Sequence, residues 1–185
     1  MTRSRLFISL FGNAVLLYLL VLLPMYLYTP ARQFDLPNLL WFTHLMLLYI
    51  HEAGHLIFSF FGRTIAILGG SLNQVLIPAV WFIVAKREGS SLSNTALFFT
   101  GVSIVDVSIY VKDAEVLQLP LIGGLSKAHH DWRNLLKGWD ILEYGSILGE
   151  FLFWCGMGLA VYGIAAGVII IFRHYKATAQ HTGTL

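Results

Sequence analysis

The sequence predicts an all-α membrane protein, a polytopic helix bundle with about five transmembrane segments in a single membrane-embedded domain of residues 1–185. Of its residues, 57% are hydrophobic and 12% are charged, whereas charged residues make up about a quarter of an ordinary soluble domain. The mean hydropathy is +0.71, and several apolar stretches reach the roughly 20 residues that a helix needs to cross the hydrocarbon core. No linker or low-complexity tract divides the chain.

Five segments are candidates for these spans. Four are long apolar runs, at 6–28, 39–61, 92–111 and 145–172. The fifth, 65–85, is apolar but contains small, polar or helix-breaking residues at Gly69, Gly70, Ser71, Asn73, Gln74 and Pro78. Interrupted backbone is tolerated in a membrane only where protein or a cavity covers it. We therefore expect this segment to be broken or re-entrant.

The charges indicate orientation and exclude one class of partner. Arg3 and Arg5 precede the first apolar run, so the positive-inside rule predicts a cytoplasmic N-terminus, and that run is too long for a signal peptide. The remaining basic residues do not decide between four and five spans. We favour five spans, because they place segment 112–144 on the cytoplasmic side. From that side a residue of this segment can more easily reach His55, which lies near the cytoplasmic end of the second segment. The sequence has no cluster of Lys and Arg residues that could contact successive phosphates, so no nucleic-acid partner is expected.

The second segment carries the motif that predicts chemistry, His51-Glu52-Ala53-Gly54-His55. Histidines four residues apart lie on one helical face, where both can bind one zinc ion. Zinc lowers the pKa of a bound water towards about 7, and Glu52 can take its proton and pass it to a leaving amine. An acidic residue at the centre of a span costs about 2.5–3.5 kcal/mol, so Glu52 needs a compensating partner. These residues predict a zinc site.

A catalytic zinc ion usually has three protein ligands, so a third is expected elsewhere. The best donors are Asp131 and His130, which follow the Gly123-Gly124 turn signal and precede a helical stretch. Both remain open as the third ligand. The alternative interpretation is a solvated interfacial loop in which Trp132 anchors to headgroups.

Other polar residues lie within the apolar segments. His44 is seven residues before His51 and on the same face, and Asp106 is a carboxylate within a span, which indicates function by default. Either could hydrogen-bond to the other ring nitrogen of a zinc-binding histidine. For His44 the alternative is a hydrogen bond to a neighbouring helix, and Asp106 is also an alternative third ligand. Asn73 and Gln74 offer amides that could bind a substrate backbone or an oxyanion, or could join helices.

These residues carry a family resemblance. The motif from His51 to His55 on an apolar helix, followed by Gly-Ser-Leu-Asn at 70–73, resembles the site-two-protease class of intramembrane zinc metalloproteases. The resemblance implies that His51 and His55 are zinc ligands, that Glu52 is the catalytic base and that Asn73 contacts substrate. The family's third ligand is an aspartate in an Asp-Gly motif, which this chain lacks, and Asp131 takes its place here. The chain also resembles small bacterial membrane proteins that pair this motif with a later His-Asp-Trp, here at 130–132.

We therefore expect an intramembrane zinc metalloprotease in the bacterial inner membrane, with the lipid bilayer and a membrane-protein substrate or larger membrane complex as partners. A non-catalytic assembly or structural subunit that retains the protease-like fold is the alternative, since the chain is short and has no soluble substrate-filtering domain. A membrane di-iron oxidase also uses His-x-x-x-His and His-His boxes. It would need more histidines than the seven present, which include His174 and His181 in the tail.

Overall fold

The computed structural model describes residues 3–27 and 36–182, apart from the side chains of 3–6, 27, 174–175 and 177–182. Every regular element in these ranges is helical, which confirms the predicted all-α class. The six α-helices are α1 (Arg3–Leu22), α2 (Asn38–Ile57), α3 (Arg63–Arg87), α4 (Ser93–Val116), α5 (Asp131–Gly138) and α6 (Gly145–Thr182). Short 3-10 turns lie at Leu23–Leu27, Ser59–Phe61, Ile122–Gly124, Lys127–His129 and Leu142–Tyr144.

Within the described parts of the chain, four helical regions are long and apolar enough to cross a membrane. They are Phe7–Tyr26, Arg63–Arg87, Ser93–Val116 and Leu142–Arg173. The membrane-helix character of the chain is thereby supported, but the predicted count of five spans is not confirmed. Helix α2 is the predicted span that is not among these four; His44, His51, Glu52 and His55 interrupt its apolar run.

The interrupted segment 65–85 lies inside α3, which runs continuously for 25 residues and includes Pro78. The expected break or re-entrant turn is therefore not confirmed. The glycines of this segment serve close helix packing instead. Gly54 of α2 faces the backbone carbonyl of Gly69, and a Cβ atom at Gly69 would lie 2.6 Å from the Cβ of Phe58. Small residues of this kind let two membrane helices approach closely.

The ends of the predicted segments differ from those of the helices. Segment 6–28 corresponds to α1 and the turn after it, and residue 28 lies outside the described residues. Segment 39–61 covers α2 and the following turn, while 92–111 and 145–172 lie within the longer α4 and α6. The side chains of Arg3, Arg5, His174 and His181 are likewise outside the description. That residues 1–185 form a single membrane-embedded domain stays a prediction.

Helix α4 is the centre of the bundle, buried along most of its length and packed against α3, α5 and α6. Its contact with α6 depends on two glycines. A Cβ atom at Gly101 would lie 2.5 Å from the Gly156 carbonyl oxygen, and one at Gly156 would lie 2.6 Å from the Gly101 carbonyl oxygen. Around them, Phe98, Val105 and Phe153 belong to the main apolar core.

The connection from α4 to α5 folds back onto the end of α4. The helix ends at Leu117 in the left-handed conformation, with φ 52°, and the Asp113 carboxylate accepts hydrogen bonds from the backbone N–H groups of Gln118 and Leu119. The Lys127 side chain donates to the Leu119 carbonyl oxygen. The buried face of α5, formed by Trp132, Leu135 and Leu136, packs on α4. This packing directs the first residue of α5 towards α2.

Candidate metal centre

Three side chains from two distant parts of the chain converge on one point. The Nε2 atoms of His51 and His55 each lie 3.1 Å from Oδ2 of Asp131, and the three ligand atoms are within 4.8 Å of one another. Ligand atoms about 2.0–2.1 Å from a tetrahedral zinc ion are about 3.3 Å apart. Among the described residues, this is the one group of three or more His, Cys, Asp or Glu side chains close enough to hold a metal ion.

Hydrogen bonds orient both histidines for this role. Nδ1 of His51 donates to Oε1 of Gln74 over 3.1 Å, and Nδ1 of His55 donates to the Ala66 carbonyl oxygen over 2.9 Å. Because both partner oxygens can only accept, the proton of each neutral ring is assigned to Nδ1. Nε2, which faces Asp131, is then the atom that would offer a lone pair to a metal ion. Such outer contacts are typical of metal-binding histidines.

A line of buried hydrogen bonds continues away from His51. Nε2 of Gln74 donates to Oδ2 of Asp106 over 2.7 Å, and Nδ1 of His44 lies 2.7 Å from Oδ1 of the same carboxylate. These four residues are 5% exposed or less and join α2, α3 and α4. Asp106 does not belong to the three-ligand group, so its alternative as third ligand is not supported. It reaches His51 only through Gln74.

The three residues of His130-Asp131-Trp132 have three different environments. Nε2 of His130 donates to Oδ2 of Asp113 over 3.2 Å, and its Nδ1 accepts from the Arg133 backbone N–H, which caps α5. His130 therefore faces away from the two motif histidines, and Asp131 is the residue that meets them. Nε1 of Trp132 donates to Oγ of Ser71 over 3.0 Å. Since Trp132 is only 8% exposed, the alternative of a solvated headgroup anchor was wrong.

The Asp131 carboxyl is suited to bind a cation. Burial raises the pKa of this carboxyl, but contacts with His51 and His55 outweigh that effect and the resulting pKa is about 2. Asp131 is also the first residue of α5, where the helix dipole favours negative charge. The carboxylate is therefore ionised at neutral pH.

Gly70 of α3 makes room for the two rings. A Cβ atom at this position would overlap Nε2 of His51 and would lie 2.6 Å from Cδ2 of that ring and 2.7 Å from Cε1 of His55. Ordinary van der Waals contact begins at 3.4 Å. The metal-facing edges of both rings therefore require glycine here.

An open cleft of about 220 Å³ gives access to the three ligands. Glu52 lines it beside His51, and apolar side chains of the α4–α5 connection form another wall. His129, next to the predicted donors His130 and Asp131, also lines the cleft, whereas Tyr110 is a polar lining residue that the sequence did not indicate. Tyr110 lies four residues after Asp106 and so on the same face of α4, which is the signal that could have identified it.

The amides of Asn73 and Gln74 are engaged within the protein. Nδ2 of Asn73 donates to the Ile50 carbonyl oxygen over 2.7 Å, and Gln74 uses both ends of its amide, as described above. These contacts join α3 to α2 and α4, which corresponds to the interhelical alternative. Substrate binding by either residue stays a prediction.

Fold and site together define a helical membrane protein with a candidate metal centre of two histidines and one aspartate. Comparisons with protein-family models, curated proteins and solved structures found no match. The resemblance to site-two proteases therefore rests on the motif of this chain alone.

Proposed function

We propose that this protein is an intramembrane zinc metalloprotease-like enzyme that hydrolyses peptide bonds of membrane-embedded segments with a metal-activated water. One observation carries the proposal. A carboxylate that has no ligand role, Glu52, lines the same cleft as His51, His55 and Asp131. A peptidase needs this combination of a metal site, a proton acceptor beside it and an open approach for substrate.

The donor set fits a catalytic zinc site. Two neutral imidazoles and one carboxylate are ligands of known zinc peptidases, and three protein ligands leave a fourth position for water. The same donors also suit other divalent first-row metals, so identification of the metal is part of the test. A two-iron centre would need a second set of ligands, and the described residues contain a single group.

Each residue has a definite task in this reaction. Zinc, when bound, polarises a water molecule and lowers its pKa. Glu52 would accept a proton from the attacking water as the water oxygen bonds to the peptide carbonyl carbon and the carbonyl π electrons move to oxygen. Glu52 then delivers the proton to the peptide nitrogen as the C–N bond breaks. The electrons on the carbonyl oxygen re-form the C=O bond as the nitrogen leaves, and the second proton of the water passes from the new carboxyl group to the amine, so the products are a carboxylate and an ammonium group.

We place the protein in the bacterial inner membrane with its N-terminus in the cytoplasm and the lipid bilayer as a partner. The four apolar helices and the position of Arg3 and Arg5 support this arrangement. Gly70 is the eighth residue of α3, so at 1.5 Å per residue the centre lies about 10 Å from that end of the helix. A substrate segment that partly leaves the bilayer could reach this depth.

The test uses purified protein in nanodiscs, its measured metal content and a panel of transmembrane peptides. Wild type should cleave at least one peptide, and Glu52→Gln should abolish cleavage while it retains the metal, because the amide cannot accept the proton. Glu88→Gln, at the exposed end of α3, is the matched control. Equal cleavage by wild type and Glu52→Gln would refute the proposal. Full cellular function of Glu52→Ala within a stable complex would favour the non-catalytic alternative.

A further inference from the structure

Tyr110 lines the cleft beside Glu52, and the reaction described above gives it no task. It belongs to α4, the central helix of the bundle. Its ring is stacked 6.1 Å from the ring of His51, at 22°, and 6.4 Å from the ring of His44, at 18°. Two residues of the hydrogen-bonded line therefore hold the phenol ring in place next to a metal-binding histidine.

The hydroxyl of Tyr110 is available to an incoming group. Within the described residues it forms no hydrogen bond, and its side chain lines the same cleft as Glu52 and Asp131. A phenol donates one O–H. The carboxylates of Glu52 and Asp131 can only accept hydrogen bonds, and Nε2 of His51 and of His55 would be bound to the metal ion. Tyr110 therefore supplies a hydrogen-bond donor to a cleft that is rich in acceptors.

Peptide hydrolysis requires such a donor where negative charge develops on the carbonyl oxygen. The other side chains considered for this task are less suitable. The Asn73 N–H is bound to the Ile50 carbonyl oxygen, and His129 is exposed on the α4–α5 connection with its Nδ1 directed at Oγ of Ser126. A donor is most effective when it is fixed before the reaction. Tyr110, on a buried helix between stacked rings, meets this condition.

The inference rests on the proposed peptidase activity. We propose that Tyr110 is a further catalytic residue, whose hydroxyl donates a hydrogen bond to the oxygen of the scissile carbonyl as that oxygen gains negative charge. Tyr110 keeps its proton throughout, so the step needs no additional reactant. Glu52 alone transfers the proton from water to the leaving nitrogen.

Tyr110→Phe tests this role because it removes the hydroxyl and keeps the ring that stacks on His44 and His51. We expect kcat to fall about 100- to 1000-fold, the effect typical of a lost oxyanion donor, with KM, metal content and melting temperature close to wild type. The matched control is Tyr144→Phe, an exposed tyrosine in the turn before α6, which should leave kcat unchanged.

A second measurement uses a peptide phosphinate, whose tetrahedral anionic oxygens imitate the developing charge. Tyr110→Phe should weaken its binding by a factor similar to the fall in kcat, and should change binding of the matched amide peptide little. An active wild type with equal kcat in Tyr110→Phe would overturn this inference alone. A loss of bound metal or a lower melting temperature in Tyr110→Phe would show that the residue has a structural role, and would also overturn the inference. An inactive wild type would overturn the proposed function as well.

Discussion

Substitution of Gly70 by alanine tests the geometry of the metal centre at a residue that carries no ligand atom. The new Cβ atom would lie 2.6 Å from Cδ2 of His51, against 3.4 Å for ordinary contact, a shortfall of about 0.8 Å. The ring cannot rotate away freely, because Nδ1 is bound to Gln74. Metal–ligand distances tolerate changes of only about 0.2 Å, so a displacement of this size should disrupt coordination.

The expected loss is large for metal binding and small for folding. Displacement of His51 should weaken metal affinity about 100-fold, or about 2.7 kcal/mol, the upper range for a disturbed outer shell. In the metal-free protein, overpacking costs about 1–3 kcal/mol, and the better helix propensity of alanine offsets about 1 kcal/mol of this. Metal affinity is therefore the diagnostic quantity.

Competition with a chromogenic chelator measures this affinity, and thermal unfolding of the metal-free protein measures the fold. Gly158→Ala in α6 is the matched control, since a Cβ atom there meets nothing within 4 Å. It should bind metal as wild type does. Wild-type affinity in Gly70→Ala would refute the arrangement of His51 and His55 around Gly70.

Three further substitutions have distinct expected outcomes. Gln74→Leu removes the acceptor for Nδ1 of His51 and should weaken metal binding about 10- to 100-fold in the same competition assay; wild-type affinity would contradict this. His130→Ala leaves the fully buried Asp113 without its imidazole partner. It should lower the free energy of unfolding, measured by denaturant titration, by about 3 kcal/mol, and an unchanged value would contradict a stabilising contact between His130 and Asp113. Gly156→Ala should cost about 1–3 kcal/mol because its Cβ would lie 2.6 Å from a backbone oxygen of α4, and a wild-type melting temperature would contradict that close contact.

The helices, and the position of the two motif histidines on one helical face, could be predicted from the sequence because both depend on local patterns. Apolar length indicates spans, and the spacing of His51 and His55 places them on one face. Asp131 was one of three open alternatives, with His130 and Asp106. The choice between it and His130 depends on how the α4–α5 connection folds against Asp113, and this contact over 17 residues has no local signal. Histidine is also not among the preferred N-cap residues.

The expected break in α3 was not confirmed, for a different physical reason. Glycines and a proline in an apolar segment indicate a break when the segment is considered alone. In the structure Gly69 and Gly70 are surrounded by the backbone of α2 and by the motif histidines, so packing uses their small size and the helix continues. The role of Gln74 was similarly hidden, because only the register between α2 and α3 places its amide at His51.

The most direct test of the central claim is the metal content of protein purified from membranes, measured by inductively coupled plasma mass spectrometry. A centre formed by His51, His55 and Asp131 predicts about one zinc ion per chain in wild type, as for other three-ligand sites. It predicts a large loss of bound zinc in both His51→Ala and Asp131→Ala. Zinc content equal to wild type in a folded Asp131→Ala protein would contradict the assignment of this residue as the third ligand.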